Sequence, residues 1–338
     1  MRANALPAAV LPAVLLLSIA LASCAAPGAS HPPAAVKSRP QGEVRMEPLP
    51  PLDHAPLLRA RAATWLSPGD PILGIQIGDD MRAYPLRILD WHAVSNDHVG
   101  RIPVALAWCR PCGSAILYRR DTPKGTLTLA ASGRFREGDQ LLRDRETGTL
   151  WKQLTGEPVE GPLAGSGIRL QPLPVVLTTW GNWTRIRPET RVLSLATGAR
   201  KDYPQGGWPA ADQPETSSIY GLVVGGTAKA YPLDSLSRTG VVNDEIAGRP
   251  VVVVWEPGAD AQNRTVRAYE RGDRTFSRSE RAFLGALFLN DQDGRPWLVG
   301  EEALTTPDGK RLPRLPGYLT HGSGWYAAYP QTAIWEAK

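Results

Sequence analysis

From residue 72 onward, short apolar runs alternate with turn residues. Residues 72–77 and 81–86 are two such runs around Gly78-Asp79-Asp80, a pattern that predicts a β-hairpin. Residues 104–108, 115–119 and 127–131 are further short apolar or alternating runs and predict strands. Residues 141–151 predict a second hairpin, turning at Glu146-Thr147-Gly148. Residues 178–187 are the best helix candidate, and Pro188 stops it because proline lacks an amide hydrogen. A weaker helical pattern covers residues 55–66 and leads into the fold. Strand signals dominate, so the expected fold class is α+β and β-rich.

The same pattern occurs twice. Residues 74–89 read GIQIGDDMRAYPLRIL and residues 221–236 read GLVVGGTAKAYPLDSL. Tyr84 and Tyr231 are 147 residues apart, and that spacing also aligns Asn96-Asp97 with Asn243-Asp244, Pro103-Val104 with Pro250-Val251, and Trp108 with Trp255. Near the ends of the two segments, Trp183, Pro188 and Thr190 match Trp325, Pro330 and Thr332 at a slightly shorter spacing. We expect two tandem copies of one strand-rich unit, over residues 55–202 and 217–338, packed as pseudo-twofold halves. The Pro/Gly-rich residues 203–216 would link them.

The N-terminus has a different texture. Arg2 precedes an apolar stretch that ends in Leu21-Ala22-Ser23-Cys24, which resembles a bacterial lipobox. The stretch is short and carries Pro7 and Pro12, which argues against a membrane-spanning helix. Residues 1–23 then read as a lipoprotein signal peptide, with Cys24 as the lipidated residue and the membrane as a partner through its acyl chains. Ala25 is not the aspartate of inner-membrane retention, so the expected address is the outer membrane, facing the periplasm, in a host with two membranes. Residues 24–54 are rich in Ala, Pro, Ser and Gly and read as a disordered tether; His31 in it reads as an incidental solvated residue.

Composition adds little to this. The formal charge is +5, with basic residues scattered rather than gathered in a stripe, so a nucleic-acid partner is not expected. The three cysteines matter more. Lipidation consumes Cys24 and leaves one Cys-x-x-Cys pair, Cys109 and Cys112, in a compartment where disulfides persist.

That pair lies in Cys109-Arg110-Pro111-Cys112-Gly113-Ser114, directly after a predicted strand. Two sulfurs at this spacing can share one metal ion or form one disulfide. The duplication supplies an internal control. At the 147-residue spacing, His92 falls on Thr239, Cys109 on Glu256 and Cys112 on Ala259, while the surrounding scaffold residues persist. All three are missing together from the second copy, which groups His92, Cys109 and Cys112 as one candidate site.

The segments AYPLRILDWHAVSNDHVG, WCRPCGSAILY and DRETGTLWKQLTGEPVEGPLAG, with the tandem AYPL…VND half, resemble the DUF3179 family, a domain of unknown function. The resemblance covers nearly the whole mature chain and implies no established activity. The family pattern has a tyrosine and then Cys-Pro-x-Cys-Gly-Ser in the loop. Here Trp108 replaces the tyrosine and Arg110-Pro111 stands between the cysteines, while Gly113, Ser114 and the Trp91-His92 pair are retained.

Three readings of the trio stand open. The first is a Cys2His centre for one zinc or copper ion, serving metal-dependent redox chemistry or metal handling, with Asp97, His98 or His321 as a fourth ligand. The second is thiol–disulfide exchange, although here a strand rather than a helix follows the pair. The third is a structural disulfide in a non-catalytic binding or scaffold protein. Arg145 and Trp151 are candidates for a pocket rim, against the plainer reading of a hairpin turn with a core tryptophan. Ser114, beside the pair, and His321, from the second unit, complete the candidate pocket residues. Asn96-Asp97, present in both copies, reads as a turn or capping element.

Overall fold

A computed structural model describes Met1 and residues 42–200, 202–204, 218–257, 265–283 (281–283 as backbone) and 285–337. The signal, Cys24, His31 and the tether before residue 42 lie outside them. All described residues beyond Met1 belong to one unit, Ser38–Lys338. Strands dominate, with a few short helices, which is the β-rich α+β class expected.

The hairpin around Gly78 forms as Pro71–Ile77 and Asp80–Pro85. Val176–Thr179 adds antiparallel on one side and Arg191–Leu193 adds parallel on the other. The helix between those two strands is Trp180–Ile186; the Thr179 hydroxyl caps it by accepting from the Asn182 amide. Trp183 from this helix lies over Gly74, where a β-carbon would come 2.4 Å from the indole.

The described residues from 218 onward contain a similar set of strands. Ser218–Val224 and Thr227–Pro232 pair as a hairpin, flanked by Gly317–His321 antiparallel and Ala333–Ile334 parallel. Four strands, beginning at 71, 80, 94 and 102, recur 147 residues later at 218, 227, 241 and 249. Trp325 lies over Gly221 as Trp183 lies over Gly74. The indole of Trp183 donates to Thr190, and that of Trp325 donates to Thr332.

The Asn-Asp pairs explain why they occur twice. They sit within strands, Val94–Val99 and Val241–Ile246, not in turns. The Asn96 side chain bonds both the amide and the carbonyl of Leu129, and Asn243 does the same to Phe276. Asp97 accepts from the Tyr84 hydroxyl and Asp244 from the Tyr231 hydroxyl. Each Tyr–Asp contact ties one sheet to the next, as does Asn96 with Leu129, while Asn243 with Phe276 joins the two end strands of one eight-stranded sheet.

The two segments share their core. Ile219, Ala230 and Trp325 are buried in one cluster with Val94, Ile116, Tyr118 and Trp151. The two segments therefore pack through a common core.

Three expectations change. Residues 55–66 hold the strand Leu57–Arg59 and a short 3-10 turn, Ala60–Ala62, not a helix; Leu57–Arg59 pairs with Arg191–Leu193. Residues 42–54, expected in the tether, join the sheets: Val44–Arg45 pairs with Leu129–Arg136, and Leu52–Asp53 pairs with Val94–Val99. Tyr203, assigned to the linker, is buried in the first core. Among the described residues, no helix is long and apolar enough to cross a membrane.

Candidate functional site

The Cys-x-x-Cys segment is the turn of a hairpin. Strands Ile102–Cys109 and Ser114–Arg119 pair up to Cys109 and Ser114, and residues 110–113 close the loop. Gly113 exits the turn at φ +59°, a conformation that a side chain disfavours. Cys109 and Cys112 are bonded as a disulfide, with 5.2 Å between their Cα atoms. Both are buried, at 1% and 5% exposure, which shields the sulfurs from an incoming thiolate. The Cys112 amide donates to Cys109 Sγ at 3.1 Å.

His321 does come to this loop. Its amide donates to the Cys112 carbonyl at 3.0 Å, and the Thr320 hydroxyl donates to the same oxygen. A β-carbon on Gly113 would sit 2.7 Å from His321 Nε2, so the imidazole lies against the glycine. The C-terminal half thus buttresses the loop through the residue that starts the helix Gly322–Ala328.

His92 does not join the sulfurs as a ligand. It is buried, and both ring nitrogens are already bonded. Nδ1 lies 2.8 Å from the Pro50 carbonyl, and Nε2 lies 2.6 Å from the Tyr203 hydroxyl. A carbonyl only accepts, so Nδ1 carries the hydrogen. Burial lowers the imidazole pKa, with the Pro50 carbonyl opposing and Arg200 assisting. The ring is then neutral, and Nε2 accepts from Tyr203, whose oxygen accepts in turn from Thr197. This chain fastens the lead-in residue Pro50 and Tyr203 to the helical turn before the strand Val94–Val99. Among the described residues, no group of three or more His, Cys, Asp or Glu side chains is placed to hold a metal ion.

The other candidates are equally committed. Asp97 accepts from Arg82 and Tyr84 and is buried, while His98 is exposed and stacks on His54. Arg145 pairs with Asp53 of the lead-in strand at 2.6 Å. Trp151 is fully buried and donates to Asp144 at 2.8 Å, so it anchors the hairpin turn and offers no face to a ligand. Ser114 is buried and accepts from Gln153, which accepts from Gln140.

A cleft of about 280 Å³ opens beside the loop. Arg110 and Pro111 line it from the turn, Trp108 from the preceding strand, and Leu89, Asp90 and Trp91 from the turn before His92. Phe135 and Gln140 also line it, as do Met46 and Leu49 from residues 42–54. Asp90 connects floor to rim: it accepts from the Trp108 indole at 2.8 Å and pairs with Arg110 at 3.4 Å. Burial raises its pKa against both of those contacts.

Sequence reasoning missed Asp90, Phe135, Gln140, Gln153 and Tyr203. For Gln153 a signal existed. The tryptophan two residues before it, Trp151, donates to Asp144 as Trp297 donates to Asp291, but Val299 stands two residues after Trp297. Gln153 is thus another polar group confined to the first half, like the cysteines.

No curated protein and no solved structure matches the chain. The family comparison covers nearly all of it: the family described as "Protein of unknown function (DUF3179)" matches residues 47–332, and the chain belongs to the DUF3179 family.

Proposed function

We propose that the protein is a non-catalytic binding protein of the cell envelope, anchored by lipid on Cys24, whose disulfide frames a cleft for a small aromatic or apolar ligand. One observation carries this reading. The bonded pair is buried, while the two residues between its cysteines, Arg110 and Pro111, are exposed and line the cleft. A disulfide that closes so short a loop stiffens its rim, and a rigid rim lowers the ordering cost of binding. The walls supply Trp91, Phe135 and Pro111 for contact area, with Arg110 for orientation. The first half alone would carry this site, with the second half as its buttress in a tandem of one unit.

The Cys2His metal reading needs a reduced pair and a His92 released from Pro50 and Tyr203. The exchange reading needs an accessible sulfur. The binding reading needs neither change.

Indole, a neutral aromatic probe, tests the cleft. Titration of the folded chain by calorimetry should show one saturable site, weakened about tenfold or more by Phe135→Glu. Absence of saturable binding, or binding unchanged by that substitution, would count against the cleft. Fatty-acid labelling lost in Cys24→Ala tests the anchor separately.

A further inference from the structure

One part of the cleft wall is held differently from the rest. Met46, Glu47 and Leu49 come from residues 43–50, ahead of the first core strand, whereas the other lining residues come from strands, the disulfide loop and the turn before His92. Little apolar burial fastens residues 43–50. Residues 43–48 are exposed, with Val44 at 49% and Met46 at 54%, and Leu49 is the first to be partly buried. The strand Val44–Arg45 is two residues long and lies at the edge of its sheet. One further backbone bond follows it, from the Met46 amide to the Gly133 carbonyl at 2.7 Å. Pro48, Pro50 and Pro51 have no amide hydrogen with which to extend the ladder.

The remaining hold is ionic. Glu43 pairs with Arg134 at 2.5 Å, with Arg45 at 3.2 Å and with Arg136 at 3.3 Å, and Glu160 pairs with both Arg134 and Arg136. Such pairs at the surface are each worth little, and salt screens them. The far end of the segment is fixed more firmly. The buried His92 ring donates to the Pro50 carbonyl at 2.8 Å, Leu52 is 3% exposed, and Leu52–Asp53 pairs with Val94–Val99. Between the two ends the segment has a fitted seat. Gly133 has φ +72°, and a β-carbon there would come 2.3 Å from the Met46 carbonyl oxygen and 3.1 Å from Pro48. The segment therefore lies on bare backbone, by edge hydrogen bonds and surface charge, and such an element opens at far lower cost than the core.

We infer that residues 43–49 are a strap that gates the cleft, detaching from the Glu43 end and turning about Pro50. This rests on the cleft being the ligand site proposed above. Opening removes Met46, Glu47 and Leu49 from the lining and leaves the disulfide loop and Phe135 in place. The chain before residue 43 joins the strap at the end that opens, so a pull from that side favours the open form.

Hydrogen exchange of the full chain without ligand, read by mass spectrometry, measures the opening. Stopped-flow release of indole measures its effect on the cleft. The amides of residues 44–46 should exchange about a hundredfold or more faster than those of Ile102–Cys109, and about 0.5 M sodium chloride should speed them further. Glu43 is not in the lining, so Glu43→Lys tests the strap without altering the cleft. It should raise both the exchange of residues 44–46 and the indole release rate by about fivefold, and abolish the acceleration by salt. Protection of residues 44–46 equal to that of Ile102–Cys109 overturns the inference. So does indole release left unchanged by Glu43→Lys while exchange speeds up. Absence of indole binding by the parent is a different failure: the cleft reading itself falls, and the gate with it.

Discussion

The imidazole of His321 lies against Gly113, so close that a β-carbon there would meet Nε2 at 2.7 Å. Two residues separated by more than half the chain therefore form one joint. It fixes the exit of the disulfide loop against the start of the helix Gly322–Ala328.

Gly113→Ala should destabilise the protein by about 1–3 kcal/mol, from the positive φ and the contact with His321 together. Urea unfolding measures it. His321→Ala in the same chain should restore only the contact part, because the backbone strain at φ +59° remains. Full additivity of the two substitutions would mean that the residues do not touch.

His92 should make stability fall in mild acid. Its folded pKa lies below the ordinary 6.5, so the unfolded chain takes up the proton first. Stability from this group is full above about pH 6.5 and is lost as the pH drops below that value. His92→Gln should remove this slope, seen as a smaller drop in Tm between about pH 6.5 and 5. An equal drop in parent and variant would show that His92 is not buried in neutral form.

Asp139 should act in the opposite sense. It is buried with Oδ1 unpartnered, and burial pushes its pKa up to about 7, against the Leu154 amide and Lys152. In this case the folded state holds the proton more tightly. Stability from Asp139 is full below about pH 4 and is lost as the pH rises from there to about 7, on the order of a few kcal/mol in all. Asp139→Asn should flatten that loss and raise Tm at neutral pH relative to the parent. A variant less stable than the parent at pH 8 would contradict this.

Much of the scaffold was legible because it is written twice. Tyr84, Asn96, Asp97 and Trp183 recur as Tyr231, Asn243, Asp244 and Trp325, and each recurrence is a conserved contact of the same kind. The loop was legible as a turn from Pro111 and Gly113. Absence from the second copy marks what differs between the two segments, not what touches. The histidine and the cysteines differ together yet serve separate contacts. Residues 42–54 and Tyr203 were illegible for another reason. The strands within residues 42–54 are two residues long and Tyr203 lies in none, so local pattern carries no signal. Their order comes from distant partners, the strand Leu129–Arg136 and His92. The cleft was invisible for the same reason, since Leu49, Trp91, Arg110 and Phe135 meet only in the fold.

The proposed cleft depends on the disulfide between Cys109 and Cys112. Alkylation followed by mass spectrometry, on the full chain isolated without reductant, addresses it most directly. A peptide carrying the two cysteines bonded to each other and unalkylated is the expected result. Recovery of both residues alkylated, from folded protein, would contradict it.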